Sequence, residues 1–449
     1  MRKIYLSLLL ASFSYAQSVN FDKILDLTIK NNKDLKQQQL NIDSSKLDIK
    51  SIDSMSYGKL SLSHELSRTN HSGYVFNSKL SSREASFDDF GFNEMPASNS
   101  TEPRNLNYPE DRNNFTTKLS YDIPLFTGFK LSNQKDILKL QEKANEIKYK
   151  LDIKELEFEV LKAYNSAVIA KEFTKALEKA KESIVFMKNG AIAFHNEGLV
   201  TKIDVNEAKV YESNINSQLL EAKNNFQLAL AYLGFISSND SISDVKELEN
   251  IYFKFPNEKE LYAQALENRD EIKMQGIQKN ASKKNIEIAK SSYYPTVYSH
   301  LEYGYNDDKL TLDDDKNYYM AMIGISLTLF DNTRNIEKQK SKIEYQKASL
   351  NEEKLKDAIK LELKKAMLSL ETKELILKEK IEAKNLANDI LNQAKLQYKN
   401  QLISMTTLLQ QEANFRKNEA LLIQARYEKS LALASLSLAL GKNLKEEKY

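Results

Sequence analysis

The sequence predicts a mainly helical protein with a minority of membrane-crossing strands, built twice over. Three observations predict it. Thr333 to Leu440 contains no glycine and no proline, and Phe129 to Asn189 is a second such run. Both are dense in Lys, Glu, Leu, Ala and Gln, strong helix formers, and lack the two residues that end helices. Four short segments instead alternate apolar and polar residues with period two, the mark of half-buried strands. Finally, the order helix, strand, loop, strand, long helix, tip, shorter helix occurs twice.

Composition narrows the class. Lys and Arg number 65 against 63 Asp and Glu, spread along all 449 residues, so no basic patch points to nucleic acid. Cysteine is absent, which removes disulfides, thiolate catalysis and cysteine metal sites. The four histidines, at 64, 71, 195 and 300, are too scattered for a zinc site. No GK[ST] phosphate loop, GxSxG, HExxH or GxGxxG after a strand is present. The expectation is a non-enzyme with no cofactor and no metal.

In chain order, Arg2 and Lys3, the apolar run Ile4 to Phe13 and Ser14-Tyr15-Ala16 read as a signal peptide over 1–16. No later segment approaches the ~18 apolar residues of a spanning helix. The first repeat, 17–234, opens with a helix from Phe21 to about Ser56. A strand pair, 58–66 and 115–123, follows. Leu60, Leu62 and Leu66 share one face of the first strand, and Phe115, Thr117, Leu119, Tyr121 and Ile123 one face of the second. Between them, 68–114 is rich in Asn, Ser, Asp, Gly and Pro. Its place makes it a candidate cap for the mouth of a barrel, whereas its composition favours a disordered surface loop.

Pro124-Leu125-Phe126-Thr127-Gly128 ends the second strand. A helical hairpin over 129–233 follows, with breaks expected at Asn189-Gly190 and Gly198 and a stop at Gly234. Residues 235–257 read as irregular. The second repeat, 258–441, has a helix from Glu258 to about Ser292, strands 296–305 and 319–329 around an acidic loop, and a helical hairpin over 332–440. Its first long helix, to Tyr398, measures roughly 100 Å at ~1.5 Å per residue. The tail is 442–449. Asn31 and Asn268, Leu35 and Ile272, and Tyr57 and Tyr294 share one offset, and Ile123-Pro124-Leu125-Phe126 matches Leu327-Thr328-Leu329-Phe330 under another.

Each strand is long enough to cross an outer-membrane bilayer when tilted. Lipid tolerates only closed barrels, and four strands are too few to close one. Copies of the chain must therefore share a barrel. The helices leave from the strand ends, and stripes such as Ile359, Leu363, Ala366, Leu370, Leu377 and Ile381 fit side-by-side coiled-coil packing.

Taken together the arrangement resembles the TolC family of outer-membrane efflux and secretion channels. Carrying the resemblance are the duplication, the strand ending Ile123-Pro124-Leu125-Phe126-Thr127-Gly128, the segment Phe194 to Val205, Tyr398 through Leu408, and Ser437-Leu438-Ala439-Leu440-Gly441. It implies long antiparallel helical hairpins forming a periplasmic α-barrel, with four strands per protomer contributed to a shared trimeric β-barrel in the bacterial outer membrane. It also implies the partners: a homotrimer, a periplasmic adaptor protein, an inner-membrane pump of RND or ABC type, and outer-membrane lipid.

Residue by residue, the resemblance makes Gly198, Leu199, Val200 and Thr201 the first adaptor-docking tip. The second is Gln401, Leu402, Ile403 and Ser404, with Gln401 where the family usually has glycine. Asp204 and Tyr398 match a gate aspartate and tyrosine, which leaves room for a carboxylate–phenol hydrogen bond. Ile403 stands in place of the gate arginine, and Thr407 and Gln410 in place of two constriction aspartates. Asp204 also reads as a first-turn helix cap after Thr201. The function implied is passive export of small molecules; the scarcity of His and Cys argues against metal export. The alternatives are a type I protein secretion channel and, from another class, a coiled-coil structural or adhesin-like surface protein.

Overall fold

The computed structural model describes residues 17–94, 98–239, 241–248 and 258–444. The signal-peptide expectation for 1–16 lies outside them. In chain order the elements are β1 (Gln17–Val19), α1 (Phe21–Asn31), α2 (Lys33–Met55), β2 (Lys59–Thr69), α3 (Ser72–Ser81), α4 (Arg104–Asn107), β3 (Arg112–Phe126), α5 (Lys130–Asn196) and α6 (Lys202–Ser237). Then follow β4 (Ile242–Val245), α7 (Glu258–Asn268), α8 (Asp270–Lys290), β5 (Thr296–Asp307), β6 (Asn317–Ser326), α9 (Thr333–Lys399) and α10 (Met405–Ala439). Among the described residues no helix is long and apolar enough to cross a membrane. The chain divides into two compact units, which cut across the sequence repeats. One comprises Met1–Ile42, Ala144–Gly276 and Leu350–Tyr449, the other Asp43–Lys143 and Ile277–Ser349.

The second unit holds an antiparallel sheet in the order β2-β3-β5-β6, leaving β2 and β6 as edges. Leu62, Tyr319, Ile323 and Ile325 on its apolar face are 72–84% exposed in the single chain. A contiguous surface of that kind belongs against lipid or a partner, not water. The strand runs into α5 through Gly128, which has φ +60°; a Cβ there would meet the Ser291 carbonyl oxygen at 2.6 Å.

The segment between β2 and β3 is ordered where described, contrary to the disorder its composition suggested. Val75, Ser78 and Ser82 are buried at helical spacing along and just beyond α3. The Arg83 guanidinium donates to the carbonyls of Asp315 (2.9 Å) and Asn317 (2.8 Å), and Glu84 pairs with Arg112 and Lys316. These charged contacts pin the segment to the loop joining β5 and β6, which is what composition alone does not reveal.

The first unit has its main core around Phe21, Leu161, Tyr164, Leu233, Leu261, Ile359, Leu363 and Leu436, all nearly inaccessible. β1 and β4 pair in parallel beside it, so 235–257 is not wholly irregular as expected from its Ser/Asn/Asp content. Part of that range, 249–257, lies outside the described residues. Buried Glu157 accepts the backbone N–H of Leu444 at 3.0 Å and so anchors the chain beyond Gly441.

Several expected boundaries shift for local reasons. The first helix is two helices, because Asn32 turns out of α1 and its side chain caps α2 at the Leu35 N–H (2.8 Å). The Glu258 helix likewise divides, at Arg269, whose side chain pairs with Glu271 and Glu362. Gly190 does not break α5, which continues to Asn196 with Met187 and Ala191 buried on either side. Gly234 does not stop α6; it is buried within the helix, and Ser238 takes the left-handed terminal position at φ +51°. The fourth strand ends at Ser326, three residues short of the expected 329, and Leu329 and Phe330 follow it exposed.

Candidate functional site

The residues singled out from the sequence converge at two helical tips in the first unit. Each tip closes with the same bonds. After α5, Gly198 sits at φ +75°; its N–H donates to the His195 carbonyl and the Leu199 N–H to the Phe194 carbonyl, both at 2.9 Å. After α9, Gln401 sits at φ +61°; its N–H donates to Tyr398 and the Leu402 N–H to Gln397, again both at 2.9 Å. This is the left-handed helix terminus that glycine favours. At Gln401 a Cβ-bearing residue occupies it, at a cost of about 1 kcal/mol.

The helices that leave the tips also start alike. Thr201 caps α6 and Ser404 caps α10, whose hydroxyl accepts the Thr407 N–H at 3.2 Å. Asp204 completes a capping box, its carboxylate accepting the Thr201 N–H (3.0 Å) and hydroxyl (2.8 Å). Burial opposes its ionisation, but these bonds, with the nearby Met405 backbone N–H of the other tip also favouring the anion, outweigh burial and hold its pKa below the usual carboxylate range. The carboxylate thus sits at the N-terminus of α6, where negative charge is favoured. The Thr406 hydroxyl donates to Glu207 at 2.8 Å, a second polar link between the tips.

Tyr398 is buried, its ring 5.9 Å from that of Phe194 and its hydroxyl without a hydrogen-bond partner. Burial first, then the Asp204 charge, push its pKa up to about 12, so it stays a neutral phenol. The expected carboxylate–phenol bond is not formed within the chain; the Asp204 carboxylate instead accepts from Thr201. Beneath the tips Val205, Ala208, Met405 and Leu408 form an apolar cluster on which Ile403 packs. Gly198, Leu199, Gln401, Leu402, Thr201, Ser404, Thr407 and Gln410 are exposed, and Val200 is half-buried.

The outer membrane efflux protein family model matches residues 24–237 and 261–442, one stretch for each repeat. The chain belongs to that family. As an outer membrane efflux protein it shares its fold with solved channels at low identity. The Campylobacter jejuni CmeC outer membrane channel is 17% identical, over 95% of this chain and 89% of that one, with a TM-score of 0.74. CusC is 14% identical, over 94% and 92%, at 0.75. The open state of the Neisseria gonorrhoeae MtrE outer membrane channel is 14% identical, over 96% and 90%, at 0.74. No curated protein sequence matches it.

Sequence reading of this efflux protein missed one polar cluster. Glu412 is fully buried and its Oε1 accepts from Arg416 at 2.8 Å, while Arg416 also pairs with Glu419. Burial, then the charge of Glu412, push the pKa of nearby Tyr211 up to about 12. The spacing of Glu412 and Arg416 is visible in the sequence, but it equally fits a solvated helix face.

Proposed function

We propose that this protein is the outer-membrane exit channel of a tripartite efflux system, a passive conduit for small molecules. The observation that carries the reading is the four-stranded sheet with one apolar face and two unpaired edges. Three copies would supply twelve strands, within the span of roughly 8 to 26 found in outer-membrane barrels. Closure by identical subunits removes every edge. The paired tips then lie at the periplasmic end. Gly198, Leu199, Val200 and Thr201, with Gln401, Leu402, Ile403 and Ser404, present an apolar and hydroxylic surface to an adaptor. Energy comes from an inner-membrane pump, since the chain carries no nucleotide-binding sequence.

Deleting the gene is expected to sensitise the cell to drugs and bile salts while leaving metal tolerance unchanged. Unaltered susceptibility across such a panel, or sensitivity to metals alone, would remove the small-molecule reading.

A further inference from the structure

The polar face of the sheet carries its charges in register. Lys59, Asp122, His300 and Met322 lie opposite one another in a row across the four strands. Ser61, Ser120, Glu302 and Met320 form the next row, then Ser63, Lys118, Gly304 and Tyr318, then Glu65, Thr116 and Asn306. His300 bridges two carboxylates: its Nδ1 lies 2.6 Å from Asp122 and its Nε2 3.4 Å from Glu302. Glu302 also accepts the Tyr318 hydroxyl at 2.7 Å and faces Lys118 at 3.3 Å. The opposite face, with Leu62, Leu119, Leu301 and Ile323, is the lipid-compatible one. In a closed barrel the charged rows therefore line the bore.

These four rows set two lysines against three carboxylates. His300 is the one side chain among them whose ordinary pKa lies near neutrality. At the helical tips, Thr407 and Gln410 contribute no charge. Resting on the channel reading above, we propose that this girdle sets the ion preference of the pore, with His300 as its titrating member.

The sign follows from the charges. With His300 neutral, each chain brings one net negative charge to the girdle, and the pore prefers cations. A proton on His300 cancels that charge, so the preference fades as pH falls. The groups facing the imidazole are Asp122 from β3, Glu302 from its own strand and Met322 from β6, with Lys59 beyond Asp122 on β2. Charges ringing a bore act together on permeating ions and are felt more strongly there than on an open surface.

Reversal potentials of the full-length protein in planar bilayers under a KCl gradient test this. From about pH 8 to about pH 5, across the ordinary titration of histidine, the wild-type K⁺/Cl⁻ permeability ratio is expected to fall several-fold. His300→Gln should hold its ratio through that range. Asp122→Asn, on a different strand, should lower the ratio even at alkaline pH. Open channels in which His300→Gln still follows the wild-type pH curve, or in which Asp122→Asn matches the wild-type ratio, would overturn the girdle and leave the channel reading standing. Folded protein that gives no conductance at all would instead overturn the channel reading, and the girdle with it.

Discussion

A trivalent cation added to the periplasmic side of reconstituted channels is expected to block only at concentrations well above micromolar. Tight block needs anionic oxygens arranged to replace the ion's hydration. The two positions that the family resemblance sets against constriction aspartates hold Thr407 and Gln410, whose side chains are neutral. The Thr407 hydroxyl is moreover taken up by Ser404 at 3.1 Å. Of the nearby carboxylates, Asp204 already accepts from Thr201 and Glu207 from Thr406, which leaves fewer of their oxygens free for an ion. A carboxylate about 4 Å from even a unit cation contributes about 4 kcal/mol at an effective dielectric near 20. That corresponds to roughly three decades in affinity. Conductance titrated with the cation decides the matter; submicromolar block would show that another acidic ring exists.

The largest effect on the fold is expected at Gly128. Gly128→Ala places a Cβ 2.6 Å from the Ser291 carbonyl oxygen and 3.1 Å from the Tyr294 Cβ, in a backbone conformation that disfavours any side chain. One neighbour is backbone and the other a Cβ held directly by backbone, so neither can swing away. The left-handed conformation costs about 1–2 kcal/mol. With the clash the total is about 3 kcal/mol, among the larger effects of a single substitution. Gly190→Ala is the internal control: nothing lies within 4 Å of its Cβ, and it sits inside α5. Helix propensity alone should make that change stabilising by up to about 1 kcal/mol. Thermal loss of the folded form in detergent compares the two. Equal melting of Gly128→Ala and wild type would contradict this turn geometry.

These two glycines also show where the sequence stops being informative. Gly128 closes a strand with a turn signature, and its role was legible. Gly190 carried the same local signal, yet Met187 and Ala191 are buried beside it, and tertiary packing overrides propensity there. Gly234 is similar: its small size suits a buried helix position, which one dimension does not distinguish from a stop. The long helices and the alternating strands were legible because each repeats one periodicity over many residues. The ordered segment after β2 was not, since its order rests on Arg83, Glu84 and Lys316, charges distant in sequence.

At the tips, Gly198 announced a turn, while the cap read at Asp204 falls on Thr201, with Asp204 completing the capping box from the first helical turn. The left-handed Gln401 contradicts its own propensity. The Met405 amide and the unpartnered Tyr398 hydroxyl emerge only when the tips are brought together.

On the reading proposed above, copies of this chain close a conducting pore. Purified full-length protein, shown to be folded and trimeric in detergent, should give discrete conductance steps when inserted into a planar bilayer. A folded trimer that inserts and gives no steps would contradict the account and favour a structural stalk anchored by its strands.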